Sequence, residues 1–566
     1  MNFTGGNGGG GGLDGSDTAT GGVGGIGGAV YSIGLFVQSI NASISNLNIR
    51  FLKGGNGGAG GSGGTPGADG PGGNTSFFFI SNTNFTTITN VFANSSIGGD
   101  EPTASTTGAT FGGIGSGIYF LNSNFSNINN ASFFNITSGS TDFSLYKTAG
   151  LFFAASSNNK VTNSTIIIID HNPASFTGLS EFSVYSEGGS ISNTLLNSSF
   201  NRSNLGWADA LGIDNLTISW FATVNVSNGS GSVANANVRI YNQTNATIPM
   251  FQGTTNAVGQ VSAEIPEMTV FGFITPSGIC RPQTNNTCFT NHTISVNNSI
   301  YSYGTAIAII NKSQTIPIFL CSSLQGSTIL QNNVSFNDAC FTLNASNIVL
   351  DCNNFAIVGS RAGNSIGVFA NLQNNVTIKN CYITNFSSGI TLKSTFRSLL
   401  LNNSIIEGYN IRNSGAYSTG IYLNNSDYNN LTDNFATRIN ATMISAGAFP
   451  NCNTAEAAAF KFQNSSHNYA LNLNGSLTKS QGYANSEGSC GSATVGFGIY
   501  ILYSSNNSIN YARFDGHSQY GAVYQSVNST SIYHSEFLGS SSAGFTATDS
   551  QNSGIVNGTF MGNNLV

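Results

Sequence analysis

Seven stretches of this chain open on a glycine and carry one apolar pattern at fixed offsets. With Gly117, Gly367, Gly389, Gly420, Gly498, Gly521 and Gly544 at position zero, Ile128, Ile378, Leu400, Leu431, Ile509, Ile532 and Ile555 stand eleven residues on. Sixteen residues on stand Phe133, Ile383, Ile405, Ala436, Phe514, Phe537 and Phe560. Gly498, Gly521 and Gly544 are 23 residues apart, and Gly367 and Gly389 are 22 apart. A period in the twenties marks a stacked solenoid. Within each unit the apolar residues alternate, as in Gly420-Ile-Tyr-Leu423, and period two means strands with one face inward. Three short strands and three turns per unit predict a right-handed parallel β-helix, its coils stacked at about 4.8 Å. An antiparallel sandwich would not need one register held over every unit.

At plus thirteen stand Asn130, Asn380, Asn402 and Asn557, with Asp433 and His534 as variants. Asparagine tolerates left-handed backbone angles, and its amide can bond copies of itself above and below. The position therefore predicts an inward asparagine ladder, with Asn130, Asn402 and Asn557 buried and free of glycan. At plus seven or eight stand Asn124, Asn375, Asn506 and Asn528, each in an Asn-x-Ser/Thr sequon between the first two strands. A turn there points outward, so these four are expected to be accessible and glycosylated.

Only 7% of residues are charged, against about 25% in ordinary soluble proteins. Polar solubility comes instead from residues such as the 77 asparagines. The chain holds 33 sequons, where composition alone gives about 17, an excess that suggests glycosylation and an exterior location. Asn225, Asn242, Asn297 and Asn464 join the first four as glycan candidates. The cysteines fall as Cys280/Cys288, Cys321/Cys340, Cys352/Cys381 and Cys452/Cys490, with no Cys-x-x-Cys among them. An even number points to disulfides in an oxidising compartment; neighbours are the simplest pairing, though the sequence does not choose the connectivity. The net charge of −6 is spread thinly with no basic patch, so nucleic acid is not expected as a partner. No apolar stretch reaches the 18 or so residues of a membrane span. Met1 leads into a glycine-rich run without a secretory signal, so the chain is expected to be a mature form or a fragment.

Along the chain the sequence divides into a glycine-rich N-terminal β-helix (1–218), a small Ig-like β-sandwich (219–318) and a C-terminal parallel β-helix (319–566). The glycine runs at 1–30 and 54–73 are expected to pack rather than act as linkers. Segments 406–419 and 437–497 interrupt the period and are expected to leave the barrel as contact loops. Gly231 to Ile240 and Thr255 to Gly259 resemble the carboxypeptidase-regulatory-like, Ig-like modules of surface proteins. Leu350-Asp-Cys-Asn-Asn-Phe-Ala-Ile-Val-Gly359, followed by Asn375 to Ile383, resembles the opening coils of archaeal and bacterial surface β-helix proteins. The pectate-lyase-like superfamily shares that architecture. The resemblance implies a fold more than an activity.

Glycoside hydrolysis needs two carboxylates on one site. The sequence holds no Asp-Asp pair, no metal constellation and no phosphate loop, so it predicts no enzyme, no metal and no cofactor. The expected function is an extracellular glycosylated structural subunit of a cell-surface filament or layer, its partners being copies of itself joined head-to-tail. The alternative is an adhesin or glycan-binding surface module, and a polysaccharide-degrading β-helix comes third. The head-to-tail reading rests on two ends that show no capping element, since an open coil leaves edges and apolar side chains in water.

Overall fold

The computed structural model describes all residues except 1, 5–31, 39–40, 60–69, 71, 101–112, 138–147, 169–180, 209–212, 243–246, 272–286, 290, 299–301, 337, 362, 413–415, 444–454, 483–493, 517–519, 540–543 and 563–566. The described residues contain strands and turns and no helix.

From Ser322 on, the chain winds through three sheets in turn. Every step from one coil to the next along them is a parallel pairing. The repeat sets the register. Ile378, Leu400, Leu431, Ala470, Ile509, Ile532 and Ile555 pair directly, each with the next. Phe514, Phe537 and Phe560 stack in line, with centroids 5.7 and 5.4 Å apart. Ile378, Ile509 and Ile532 are fully buried. Ile555 was expected to be so too, but is half-buried, because no coil of the described residues lies beyond it.

Two further expectations are corrected. Segment 437–497 is not simply a loop: Ala455–Gln463, Tyr469–Leu471 and Asn474–Ser476 form a complete coil. It has Ala459 at position zero, Ala470 at plus eleven and Gly475 at plus sixteen, so at these three offsets it lacks the glycine and the large side chains that most other units carry. The interruptions also stack on one another, as Tyr409–Arg412, Asn440–Met443 and Lys479–Gly482 make a small parallel sheet.

The asparagine ladder exists, but on the outside. Asn130, Asn402 and Asn557 have φ near +50° and are exposed. Asn402 Nδ2 donates to Asn380 Oδ1 at 3.0 Å and Asn130 Nδ2 to Asn90 Oδ1 at 2.9 Å. A left-handed corner residue turns its side chain outward, and the residue after it points in. The buried ladders are therefore Asn403 to Asn434 (2.9 Å) and Asn429 to Asn468 to Asn507 (3.1 Å each). Buried amides must be paired, and stacking identical residues pairs them.

The N-terminal helix repeats this plan. Ser32–Val37, Thr75–Ser81, Gly115–Leu121, Thr148–Ala154, Glu181–Glu187 and Leu205–Trp207 form one parallel sheet. Its core holds Phe78, Ile88, Ile118, Ile128, Phe133, Leu151 and Val161. Part of the glycine-rich run packs against it as backbone on backbone, with Gly73 N to Gly55 O, Gly99 N to Gly73 O and Gly113 N to Gly99 O at 2.7 to 2.8 Å. A Cβ at Gly99 would meet the Gly55 carbonyl oxygen at 1.9 Å, so even alanine does not fit. Gly99→Ala is expected to lower the melting temperature of the N-terminal helix by several degrees, equivalent to about 1–3 kcal/mol of overpacking. Calorimetry would check it, and an unchanged melt would contradict this packing. The run at 5–30 lies outside the described residues.

Between the helices, strands pair mostly antiparallel. Asn215–Asn228 pairs parallel with Asn193–Leu196 on one edge and antiparallel with Gln260–Phe271 along the other. The facing sheet runs through Asn237–Tyr241, His292–Asn298 and Ser302–Ala308 to Asn333–Phe336, the first strand of a C-terminal sheet. Each layer is thus continuous with a sheet of one helix, and Val224, Val238, Ile265, Ile294 and Ile318 fill the space between. On the N-terminal side Arg202 grips Glu267 with two bonds of 2.8 Å, and Trp220 Nε1 donates to the same carboxylate at 2.6 Å. His292 is fully buried. Burial lowers its pKa, against smaller upward pulls from the Pro266 carbonyl and Glu267. The folded state then holds His292 neutral while the unfolded chain takes up a proton below about pH 6.5. Stability is accordingly expected to fall as pH drops through that value, because the unfolded state binds more protons. His292→Gln should flatten the slope of urea midpoint against pH between about 5 and 7; an unaltered slope would place the titration elsewhere.

Candidate functional site

The first sheet of the C-terminal helix turns alternate side chains outward, and register aligns them in rows across the coils. One row runs Thr391, Tyr422, Lys461, Tyr500, Val523. Next to it run Lys393, Asn424, Gln463, Leu502 and Gln525, and on the other side Tyr417 pairs with Glu456. Lys461 thus lies between two tyrosines on adjacent coils. Its ammonium is 5.6 Å from the Tyr422 ring centroid, 5.4 Å from Tyr500 and 5.9 Å from Tyr417. It also bonds Glu456 Oε1 at 2.5 Å. A desolvated cation over several ring faces is favourable, and the carboxylate completes its pairing. Only 11% of the Lys461 side chain and 17% of Glu456 remain exposed, which makes this the most enclosed of the ion pairs described.

The phenols are fixed as well. Tyr422 OH donates to Gln463 Oε1 at 2.7 Å and Tyr500 OH to Gln525 Oε1 at 3.0 Å. Burial, then the nearby Glu456 charge, pushes the Tyr422 phenol up to about 12. Burial, Glu456 and Tyr503 raise Tyr500. Both stay protonated at neutral pH as hydrogen-bond donors. Phe497, itself buried, packs on Tyr500 at 4.5 Å and faces Tyr520 at 6.0 Å, which holds the Tyr500 ring in place. Rings, amides and a locked ion pair on a rigid flat sheet can stack against a ligand and hydrogen-bond it. The matching face of the N-terminal helix carries Phe79, Tyr119, Phe152 and Tyr185 in line, 4.5 to 5.2 Å apart. There, however, Phe152 and Tyr185 are buried.

The sequence reading missed this cluster because Glu456 and Lys461 lie in the segment read as a loop. The signal was present, since Tyr119, Tyr422 and Tyr500 each stand two residues after a position-zero glycine. Of the glycan candidates, Asn375, Asn506, Asn528, Asn297 and Asn464 are exposed, and Asn124, Asn225 and Asn242 half-buried. Asn375 and Asn506 sit at outward corners with φ of 52° and 53°. Disulfides join Cys321 to Cys340 and Cys352 to Cys381, each bridging neighbouring coils. Cys280, Cys452 and Cys490 lie outside the described residues, as does the side chain of Cys288. Among the described residues no three His, Cys, Asp or Glu side chains gather as a metal site, and no helix is long and apolar enough to cross a membrane.

Fold and register define a parallel β-helix protein. No family model matches the chain, and no curated protein does. Solved structures with which it shares similarity include the periplasmic alginate epimerase AlgG, at 10% identity over 87% of this chain and 76% of that one, TM-score 0.26. A second is the DFA-IIIase of Arthrobacter chlorophenolicus A6, at 7% identity over 83% and 80%, TM-score 0.15. A third is PfbA, a surface adhesin of Streptococcus pneumoniae, at 8% identity over 85% and 84%, TM-score 0.15. The expectation that this chain is not an enzyme is corrected here, since the structures it resembles are mostly carbohydrate-active enzymes.

Proposed function

We propose that this chain is an exterior β-helix protein that engages polysaccharide on the first sheet of its C-terminal helix, over Tyr422, Lys461 and Tyr500. The observation that carries the reading is that Tyr–Lys–Tyr row, flanked by Gln463 and Gln525. Aromatic faces stack on the CH faces of sugar rings, and side-chain amides exchange hydrogen bonds with hydroxyls. Two disulfides and the density of sequons support the exterior location. Glycans on exposed asparagines such as Asn375, Asn506 and Asn528 belong to the same proposal.

The test is affinity electrophoresis of the whole chain through gels containing a panel of polysaccharides. Tyr500→Ala and Tyr422→Ala should each weaken retardation about tenfold, as loss of a central aromatic anchor does. Retardation that persists unchanged in both variants would move the site elsewhere, and no retardation by any polymer would end the proposal. A second reading is the filament subunit built by head-to-tail copies. Electron microscopy of purified protein should then show unbranched filaments; dispersed monomers at high concentration would exclude it.

A further inference from the structure

We infer that the polymer is uncharged: a linear, β-linked pyranose chain lying along the helix axis, rather than a polyuronate. The inference rests on the reading above and names the ligand class of that same face.

Its ground is charge. The outward rows that surround the tyrosines carry, among the described residues, the charges of Lys393, Glu456 and Lys461. Lys461 is already neutralised by Glu456 at 2.5 Å and enclosed by three rings. A carboxylated polymer would have to break that pair to use the cation, or bind beside the Glu456 charge. Both oppose binding, because like-charge contact and an unpaired buried ion are each unfavourable. Lys393, two coils before Lys461 and one row across, is exposed and gives a single screened charge. What remains for recognition is neutral: the rings of Tyr422 and Tyr500, and the amides of Asn424, Gln463 and Gln525. These are the groups that hydroxyls and axial C–H bonds require.

Its second ground is spacing. Adjacent coils are about 4.8 Å apart, and one pyranose of an extended β-linked chain advances by about one such step. Tyr422 and Tyr500 lie on coils separated by the coil of Lys461. A chain along the axis would therefore place alternate sugars over the two rings, with the intervening sugar over the Lys461–Glu456 pair.

The experiment compares binding of the full chain to a carboxyl-free β-glucan and to polygalacturonate, each at low and high salt. The β-glucan should bind about tenfold tighter or better, with an affinity that salt leaves unchanged, as expected where charge plays little part. Glu456→Gln frees the Lys461 charge and should create polygalacturonate binding, raised about tenfold at low salt and lost again at high salt. Circular dichroism of the variant confirms that the fold is retained. Wild-type preference for polygalacturonate, or salt-sensitive binding, would overturn the inference while leaving polysaccharide engagement intact. Binding of neither polymer would overturn the inference, while polysaccharide engagement itself falls only when the whole panel fails.

Discussion

Ile532→Asp is expected to unfold the C-terminal helix at room temperature. Ile532 is fully buried, paired to Ile509 on one coil and Ile555 on the next, within one cluster that spans the whole helix core. An ionised carboxylate there has no polar partner among its neighbours, and the group would have to be protonated or the coil opened. The loss of the isoleucine side chain adds about 2–5 kcal/mol on its own. Together these reach the whole stability of many domains, about 5–15 kcal/mol. A urea titration followed by tyrosine fluorescence should show the first transition gone or shifted to near zero denaturant. Ile555→Asp is the control. Its side chain is half-buried at the described edge, so the same change one coil away should destabilise far less. Equal effects at the two positions would contradict the register.

Lys461→Met is the second large effect. It leaves the Glu456 side chain, only 17% exposed, without its cation and beside Tyr417 of the preceding coil. Removing one partner of an enclosed ion pair destabilises by about 3–5 kcal/mol, because the remaining charge is uncompensated. Glu456→Gln is expected to be milder, since Lys461 keeps three ring faces as partners and can retain its charge. The double variant Glu456→Gln/Lys461→Met should recover most of what Lys461→Met loses. A double-mutant cycle from chemical denaturation reads this as a coupling energy between the two positions. Additive losses would mean that the pair is not formed.

The fold was legible in the sequence wherever a unit kept its large apolar residues. Gly367, Gly389, Gly420, Gly498, Gly521 and Gly544 announced coils because inward rows repeat side chains of one kind. The coil at Ala459, Ala470 and Gly475 was silent for the opposite reason: these three marker positions are small, and its own Phe460 ring, 5.9 Å from Phe514 of the next coil, helps fill the space. The asparagine corners were placed correctly along the chain but on the wrong face, because a left-handed residue and its successor point opposite ways. A period identifies the corner, and only backbone geometry says which of the two residues turns in. The site was hidden for a third reason. Lys461 meets Tyr422 and Tyr500 only through register between coils 39 residues apart in sequence, and Glu456 comes to Lys461 across the same strand. Only the shared offset of two residues from position zero aligns Tyr422, Lys461 and Tyr500, and it becomes readable for Lys461 once Ala459 is known to open a coil.

The most direct measurement is a crystal structure of the whole chain with an oligosaccharide of the polymer it retains. Sugar rings are expected to stack on Tyr422 and Tyr500, with the chain parallel to the helix axis and hydroxyls bonded to Gln463 and Gln525. An oligosaccharide bound elsewhere, with this face bare, would contradict it.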